Sequence, residues 1–265
     1  MADPTLSGLS AFLRVHLRPG MNVVDIGANV GAVTAIASDV VGPAGRVIAY
    51  EPTPSLILRL QERFRSAPHV EIRHAAVADA SGTATFLIDR EQSTGSTLYA
   101  GAVGQKSTRV TVPVCTLDGE AFALPPLDVI KIDAQGAEAR IFASARRLLK
   151  RDKPLLIFEL WEHGLSAAGT SAAEILSALA AFGYHFHPLN AKGQIGRDDK
   201  IRAFLAGQTR AKAINVIGHP RKWPGHRWRG AIAAARCITG NRSSCPQWVP
   251  EAPPIRSSVR VTQSS

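Results

Sequence analysis

Two segments of the sequence combine residue types that suit the binding of a nucleoside-containing cofactor. The first is the turn GANVG at residues 27–31, which directly follows the apolar run at 21–26. Small residues after a strand let the backbone approach a ligand closely, and a following helix offers free N–H groups. The second is Glu51, 26 residues after Asp25, where a carboxylate can accept hydrogen bonds from both ribose hydroxyls. Their order favours a nucleoside-cofactor site; the alternative is that the glycines serve packing and Glu51 is a surface acid.

The elements that must position these residues alternate between β-type and helical patterns over the first 218 residues. Strands are predicted at 21–26, 46–50, 70–74, 127–133, 154–159, 184–188 and 213–217, and helices up to about 41, from 54 onward, at 137–150 and at 172–182. This alternation predicts an α/β fold whose mostly parallel sheet is covered on both faces. Ligands bind outside the carboxyl ends of the strands in such sheets, so the functional residues are expected directly after strands.

A β-rich insertion interrupts the alternation. Residues 83–88 and 109–114 are predicted as antiparallel strands, and a polar loop rich in Gly, Ser and Thr joins them at 92–107. Loops of this length often carry function. We therefore expect the loop to help shape the pocket for an acceptor substrate.

Composition and charge exclude several classes of protein. The 265 residues include 31 Lys and Arg against 21 Asp and Glu, and 45% of them are apolar, which excludes a disordered chain. Three cysteines are too few and too scattered for a disulfide framework. His185 and His187 share one face of a strand but have no third partner in the sequence, so no metal site is predicted. The N-terminus lacks a signal-peptide pattern and the most apolar stretch, 23–41, contains charges, so we expect a soluble, cytoplasmic protein.

A change in composition divides the chain into a domain at 1–218 and a basic extension at 219–265. The extension holds eight Lys and Arg against one acid, +7 of the total net charge of +10, with three of the four tryptophans. Its composition predicts a poorly ordered segment. The alternatives are RNA binding through phosphate contacts and base stacking, or docking to an anionic membrane surface.

Four motifs follow one another along the chain. They are DIGANVG at 25–31, EPTP at 51–54, LD at 117–118 and IKIDAQGAE at 130–138. Together they resemble the FkbM family of S-adenosylmethionine-dependent methyltransferases, over about residues 17–220. The resemblance implies a Rossmann-like seven-stranded methyltransferase sheet with a reversed last strand, bound S-adenosylmethionine, and methyl transfer usually to a hydroxyl oxygen. The family usually has Glu where this chain has Gln135, and its pattern has no counterpart of the basic extension.

The resemblance also implies a set of cofactor contacts. They are Asp25, Gly27, Asn29, Gly31, Glu51, Ala76 and Val77. The turn at 27–31 would line the methionine and ribose part of S-adenosylmethionine, and Glu51 would hold the ribose. Ala76 and Val77, after the third strand, would border the adenine.

Methyl transfer to a hydroxyl is helped by a group that accepts the hydroxyl proton. Asp133 ends the fourth main strand beside the expected methyl position and is the first candidate for this catalytic role. Glu138, one helical turn further, and Glu159 and His163 after the fifth strand are further candidates. The alternatives are that Asp133 only stabilises a helix N-terminus and that His163 is only solvated. Lys131, close to Asp133 in sequence, is expected to pair with a neighbouring acid.

These observations favour an O-methyltransferase that acts on a small-molecule or glycan acceptor, such as a sugar or another natural product. An RNA methyltransferase guided by the basic extension is one alternative. A non-catalytic S-adenosylmethionine-binding module is another, and a nicotinamide-dependent dehydrogenase is a more distant one.

Overall fold

The computed structural model describes residues 4–89, 96–99, 107–208 and 213–220 of the chain. In chain order its strands are β1 (Asn22–Ile26), β2 (Arg46–Tyr50), β3 (Val70–Arg73), β4 (Ala76–Val77), β5 (Gly82–Asp89), β6 (Ser107–Cys115), β7 (Val129–Ile132), β8 (Leu155–Trp161), β9 (Tyr184–Pro188) and β10 (Ala213–Pro220). The helices are α1 (Pro4–His16), α2 (Ala32–Val41), α3 (Pro54–Arg63), α4 (Leu117–Glu120), α5 (Glu138–Ala143), α6 (Arg146–Asp152), α7 (Glu162–Ala167), α8 (Ala172–Ala181) and α9 (Asp199–Leu205).

Seven of the strands form the main sheet, in the order β3-β2-β1-β7-β8-β10-β9. Every neighbouring pair is parallel except that β10 runs antiparallel to both β8 and β9. This confirms the predicted α/β fold with a reversed last strand, which lies one position in from the edge of the sheet.

The chain changes its direction of travel across the sheet between β1 and β7. From β1 it adds β2 and β3 on one side, and it then returns to place β7 and β8 on the other side. The loops that leave two such strands diverge to opposite faces and open a crevice between them. Gly27 and Asp133 are the residues that directly follow β1 and β7, so the topology brings them to this crevice.

The central strands of the main sheet, such as β1 and β7, are buried on both faces and are therefore mostly apolar. Strand side chains alternate between faces, so Val23 packs into one cluster with α1 and α2, whereas Val24 packs into another with α5, α6 and α8. The same alternation separates Val47 from Ile48 in β2. Packing on both faces holds the carboxyl ends of the strands at one edge, where the crevice opens.

The insertion forms a second sheet in the order β4-β6-β5. β5 and β6 pair antiparallel along their lengths, as predicted, and β4 pairs parallel with β6. The Thr97 N–H donates to the Leu87 carbonyl at 2.9 Å, and the Leu87 N–H donates back to the Thr97 carbonyl at 2.8 Å. Most of the polar loop predicted at 92–107 lies outside the described residues.

The single helix predicted at 137–150 is wrong, because the segment forms two helices, α5 and α6. Asp118 explains the break. Its carboxylate accepts the N–H groups of Arg147 and Leu148 at 2.9 Å each and so caps the N-terminus of α6. Its own N–H donates to the Ser144 carbonyl at 2.7 Å, at the end of α5. A cap supplied by a residue 29 positions earlier leaves no trace in the local periodicity.

The ends of the chain differ from the sequence analysis in two places. The sequence patterns do not predict α1, in which Gly8 interrupts the helical pattern; a Cβ on Gly8 would lie 2.4 Å from the Asn190 carbonyl oxygen.

At the other end, β10 continues to Pro220, so the domain boundary expected at 218 falls inside a strand. Residues 221–265, which carry the arginines and tryptophans of the basic extension, lie outside the described residues. Within the described part of the chain, no helix is long and apolar enough to cross a membrane.

Candidate active site

A cleft opens at the carboxyl ends of β1, β2 and β7. It encloses about 670 Å³, part of it open to solvent, which lies in the usual range for small-molecule sites. Of the predicted site residues, those that line the cleft are Gly27, Asn29, Glu51, Ala76, Val77 and Asp133. The described residues around it do not include Asp25, Gly31, Glu138 or His163.

Glu51 joins two loops that border the cleft. Glu51 is 4% exposed as a residue, and its carboxylate Oε2 accepts the Asn29 N–H while Oε1 accepts the Thr53 N–H, both at 2.8 Å. Each carboxylate oxygen has two lone-pair sites. One site on each oxygen therefore remains for a ligand, which suits two adjacent hydroxyls.

The glycine-rich turn approaches β7 more closely than a side chain would allow. Gly27 has φ +76°, and a Cβ there would lie 1.9 Å from the Asp133 carbonyl oxygen. The Asp133 N–H donates to the Ile26 carbonyl at 3.0 Å, which ties the ends of β1 and β7 together. Glycine at this position therefore allows the close approach of the two loops that frame the cleft.

Asn29 lines the cleft and has a buried side-chain acceptor that is unpaired among the described residues. Its backbone is left-handed, with φ +50°, and its side-chain Oδ1 is buried without a hydrogen bond from any described residue. Buried polar atoms are nearly always paired.

Gly31 has a packing role and does not line the cleft, and its predicted contact with the cofactor stays a prediction. Its φ is +78°, and a Cβ there would lie 2.7 Å from Leu60 Cδ2 and 2.9 Å from Phe64 Cε2. The glycine lets the start of α2 pack against the side chains of α3 and of the residue that follows it. This was the alternative that the sequence left open for the glycines.

One wall of the cleft is apolar and suits a flat base. Ala76 and Val77 of β4 form it together with Phe86 of β5 and Leu98. Sequence reasoning missed the last two residues. Apolar side chains alternate in the insertion, and this alternation indicates that one face of it is buried. It does not indicate that the buried face lies against a cleft.

Asp25 lies behind the turn and pairs with Lys131. It is fully buried, its Oδ2 accepts the Thr34 hydroxyl at 2.7 Å, and Lys131 Nζ lies 3.2 Å from Oδ1. Lys131 Nζ also donates to the Gly27 carbonyl at 3.0 Å. Burial alone would lower the pKa of Lys131, but the carboxylates of Asp25 and Asp133 outweigh it and raise the pKa. The prediction that Lys131 pairs with a neighbouring acid is confirmed.

Asp133 offers a partly exposed carboxylate to the cleft. Its side chain is 42% exposed, and Lys131 Nζ lies 3.8 Å from Oδ2. Its Oδ1 accepts a hydrogen bond from Gln135 Nε2 at 2.8 Å. The carboxylate is thus held on two sides and still reaches the space of the cleft.

Glu138 does not line the cleft and holds the loop at residues 133–136. Its carboxylate is buried and accepts the N–H groups of Ala134 at 3.0 Å and Gly136 at 2.9 Å. Burial raises its pKa to about 7, against the effect of the N–H donors, and the Asp133 charge adds to the rise. The carboxylate thus serves to shape residues 133–136.

The two later candidates differ in their surroundings. Glu159 is mostly buried, and burial followed by the charges of Asp133 and Glu138 raises its pKa to about 7. His163 is exposed in α7, and its ring lies 5.3 Å from the Trp161 ring, centroid to centroid. The structure therefore brings Glu159 to the Asp133 loop and leaves His163 at the surface. In the described ranges, no three His, Cys, Asp or Glu side chains are grouped to hold a metal ion.

Comparisons with known proteins agree with this geometry. The sequence model described as "Methyltransferase FkbM domain" matches residues 25–186. A protein-L-isoaspartate O-methyltransferase of Triticum aestivum is 34% identical over 76 residues, 29% of this chain and 30% of that protein. The chain thus spans less than a third of this curated relative.

Two solved structures are similar to this chain. A methyltransferase FkbM from Methylobacillus flagellatus is 15% identical, with a TM-score of 0.48 over 77% of this chain and 44% of that chain. A putative rRNA methylase from Clostridium thermocellum is 10% identical, with a TM-score of 0.50 over 83% of this chain and 97% of that chain. At this level of identity the second similarity extends to the fold and not to the substrate.

Proposed function

Because the chain belongs to the FkbM methyltransferase family, we propose that it is an O-methyltransferase that methylates a hydroxyl of a sugar or another small natural product. The observation that carries the proposal is the position of the Asp133 carboxylate. It lines the same cleft as Gly27 and Glu51, and it remains partly exposed although its two oxygens have polar neighbours. A hydroxyl acceptor in that space would meet a proton acceptor.

The cofactor is S-adenosylmethionine, which supplies an electrophilic methyl group with its leaving group already in place. The residues around the cleft fit it. Glu51 would accept hydrogen bonds from the ribose hydroxyls, and Asn29 Oδ1 would accept one from the ammonium of the methionine part. The apolar wall that includes Ala76 and Val77 would face the adenine.

Asp133 would act as the general base. An alcohol that keeps its hydroxyl proton is a poor nucleophile. A positioned base typically contributes about 10²–10⁴-fold to the rate. Lys131 and Gln135 restrain the carboxylate from two sides. Orientation of this kind lowers the entropic cost of bringing the base and the hydroxyl together.

Methyl transfer to a panel of acceptors tests the proposal. The full-length protein is incubated with methyl-labelled S-adenosylmethionine and a panel of sugars, glycosides and other hydroxyl compounds, and mass spectrometry identifies the methylated atom. We expect transfer to a hydroxyl oxygen, and a loss of about 10²–10⁴-fold in kcat for Asp133→Asn with little change in cofactor affinity. Asp39→Asn, at a site 67% exposed, is the matched control. Unchanged turnover in Asp133→Asn would remove the assigned role, and transfer to nitrogen alone would exclude an O-methyltransferase.

RNA methylation is a second candidate, favoured by the charge of the basic extension at 219–265. We further propose that the protein is cytoplasmic. We also propose that the extension forms a separate segment and that this segment contacts phosphate groups. Truncation after Pro220 should then weaken RNA binding, and the salt dependence of binding should become shallower. An RNA affinity that the truncation leaves unchanged would eliminate this candidate.

A further inference from the structure

The side-chain amide of Gln135 lies between two carboxylates. Its Nε2 donates to Asp133 Oδ1 at 2.8 Å and to Glu159 Oε2 at 3.3 Å. A primary amide carries two N–H donors, so these two hydrogen bonds use both. Asp133 follows β7 and Glu159 lies in the adjacent strand β8. The amide therefore links the ends of two neighbouring strands at the edge of the cleft.

The backbone around Gln135 is held without help from this amide. Gln135 itself has φ +49°, and its carbonyl accepts the hydroxyl of the buried Thr97 at 2.7 Å. The Glu138 carboxylate accepts two N–H groups of the same loop. At Gly136 a Cβ would lie 2.5 Å from the Gly164 carbonyl oxygen. Because these contacts shape the loop, the amide is left free to act on the two carboxylates.

Glu159 is surrounded by groups whose charges oppose one another. Burial raises its pKa to about 7, the charges of Asp133 and Glu138 add to the rise, and the Gln135 amide and the Lys131 ammonium work against it. Its register neighbour in β10 is Asn215, which carries no charge. The amide is thus a neutral donor that two nearby carboxylates share.

We propose that Gln135 is a positioning residue whose amide joins Asp133 and Glu159 into one unit and keeps the Asp133 carboxylate directed at the acceptor hydroxyl. The inference rests on the proposed function, in which Asp133 accepts the acceptor proton. An ionised Glu159 is a strong acceptor for the second N–H of the amide, whereas a protonated Glu159 is a weaker one. The unit is therefore complete when Glu159 is ionised, and turnover should rise as Glu159 loses its proton.

Titration of Glu159 tests the bridge without any acceptor substrate. Gln135→Met keeps the length of the side chain and removes both N–H donors, and carboxyl ¹³C NMR follows the titration midpoint of Glu159. We expect the midpoint to rise in the variant by about half a unit or more, because a donor to the ionised form lowers a carboxyl pKa. Gln61→Met, at an exposed position of α3, is the matched control and should leave the midpoint unchanged.

Kinetics with the acceptor identified by the methyl-transfer panel test the consequence for catalysis. Gln135→Met should lower kcat about tenfold or more while the affinity for S-adenosylmethionine changes less than about threefold. In the wild type, kcat should rise across neutral pH. Glu159→Gln cannot ionise and offers the amide only a neutral oxygen, so its kcat should stay near the lower, low-pH value of wild type and lose this rise. Glu62→Gln, on the exposed face of α3, should keep the wild-type pH profile.

The two measurements separate failure of the inference from failure of the proposed function. A Glu159 midpoint that Gln135→Met leaves unchanged, or a kcat within about twofold of wild type, overturns the inference. A wild-type pH profile in Glu159→Gln overturns it as well. If the panel yields no methylated hydroxyl, the proposed function falls, and the Glu159 titration still decides whether the amide bridge exists.

Discussion

Replacing Lys131 by Met would leave the Asp25 carboxylate buried without its cation. The Asp25 side chain is 0% exposed and that of Lys131 is 7% exposed, with Nζ 3.2 Å from Oδ1. Removing one partner of a buried ion pair typically costs about 3–5 kcal/mol. The hydrogen bond from Nζ to the Gly27 carbonyl is lost as well, so we expect Lys131→Met to lower the free energy of unfolding by about 4 kcal/mol.

Replacing the acid of the pair instead of the lysine should be milder. Replacing both residues in one double variant should recover part of the lost free energy of unfolding. In Asp25→Asn the ammonium keeps the Gly27 carbonyl and the Asp133 carboxylate as neighbours, so we expect a loss of about 2 kcal/mol. The double variant has no buried charge in this pair. Its loss should therefore be smaller than the sum of the two single losses by about 2 kcal/mol.

Urea denaturation followed by circular dichroism at one fixed pH measures these differences. Arg14→Met is the control, because Arg14 and its partner Asp39 are 54% and 67% exposed and such pairs contribute about 0–1 kcal/mol. A loss below about 1 kcal/mol for Lys131→Met would refute the reasoning. Strict additivity in the double variant would show that the two side chains do not stabilise each other.

Three further predictions concern packing, hydrogen bonding and pH. Gly31→Ala should destabilise the protein by at least about 1 kcal/mol more than Gly42→Ala in thermal unfolding, because a Cβ meets side-chain atoms within 3 Å at Gly31 and nothing within 4 Å at Gly42. Thr97→Val should lower the free energy of unfolding in urea by about 1–2 kcal/mol, because the buried hydrogen bond of the Thr97 hydroxyl is lost. The control Thr111→Val, on the exposed face of β6, should lower it little. Equal losses in the two variants would contradict the role of Thr97. The pKa of Glu159 in the folded protein is raised to about 7. Proton binding by this carboxyl therefore stabilises the folded protein at low pH, and this contribution is lost as pH rises from about 4.5 to 7. Glu159→Gln should therefore gain about 2 kcal/mol relative to wild type between about pH 5 and pH 8, and parallel stability profiles would contradict this.

The parts of the site that depend on local sequence were predictable. The small residues after β1 and the acid at the end of β2 are read from positions close together in the chain, and the structure places both at the cleft. The alternation of strands and helices likewise predicts the main sheet, since its central strands β1 and β7 are buried on both faces. Gly31 shows the limit of this reading, because a glycine needed for packing and one needed for a ligand look the same in sequence.

The parts that depend on long-range contacts were not predictable. Glu138 lies one helical turn after Asp133 and was a candidate for catalysis, yet its two carboxylate oxygens turn back to the N–H groups of the loop at residues 133–136. Asp118 caps α6 across the fold and divides the helix predicted at 137–150. The bridge from Gln135 to Glu159 spans 24 residues and two strands. The contacts of Asp118 and Gln135 depend on where the sheet places distant residues, whereas those of Glu138 are local and depend on how the loop folds back on itself.

Calorimetric titration with S-adenosylmethionine tests the central claim, that the cleft above β1, β2 and β7 holds the cofactor through Glu51. Wild type is compared with Glu51→Ala and with the exposed control Glu62→Ala. The account predicts binding by wild type and the control. Glu51→Ala loses the hydrogen bonds to two ribose hydroxyls and the support for Asn29. We expect this loss to weaken binding by about 2–4 kcal/mol, about 30- to 1000-fold in Kd. Absence of binding by the folded wild type, or a Kd for Glu51→Ala within about threefold of wild type, would contradict it.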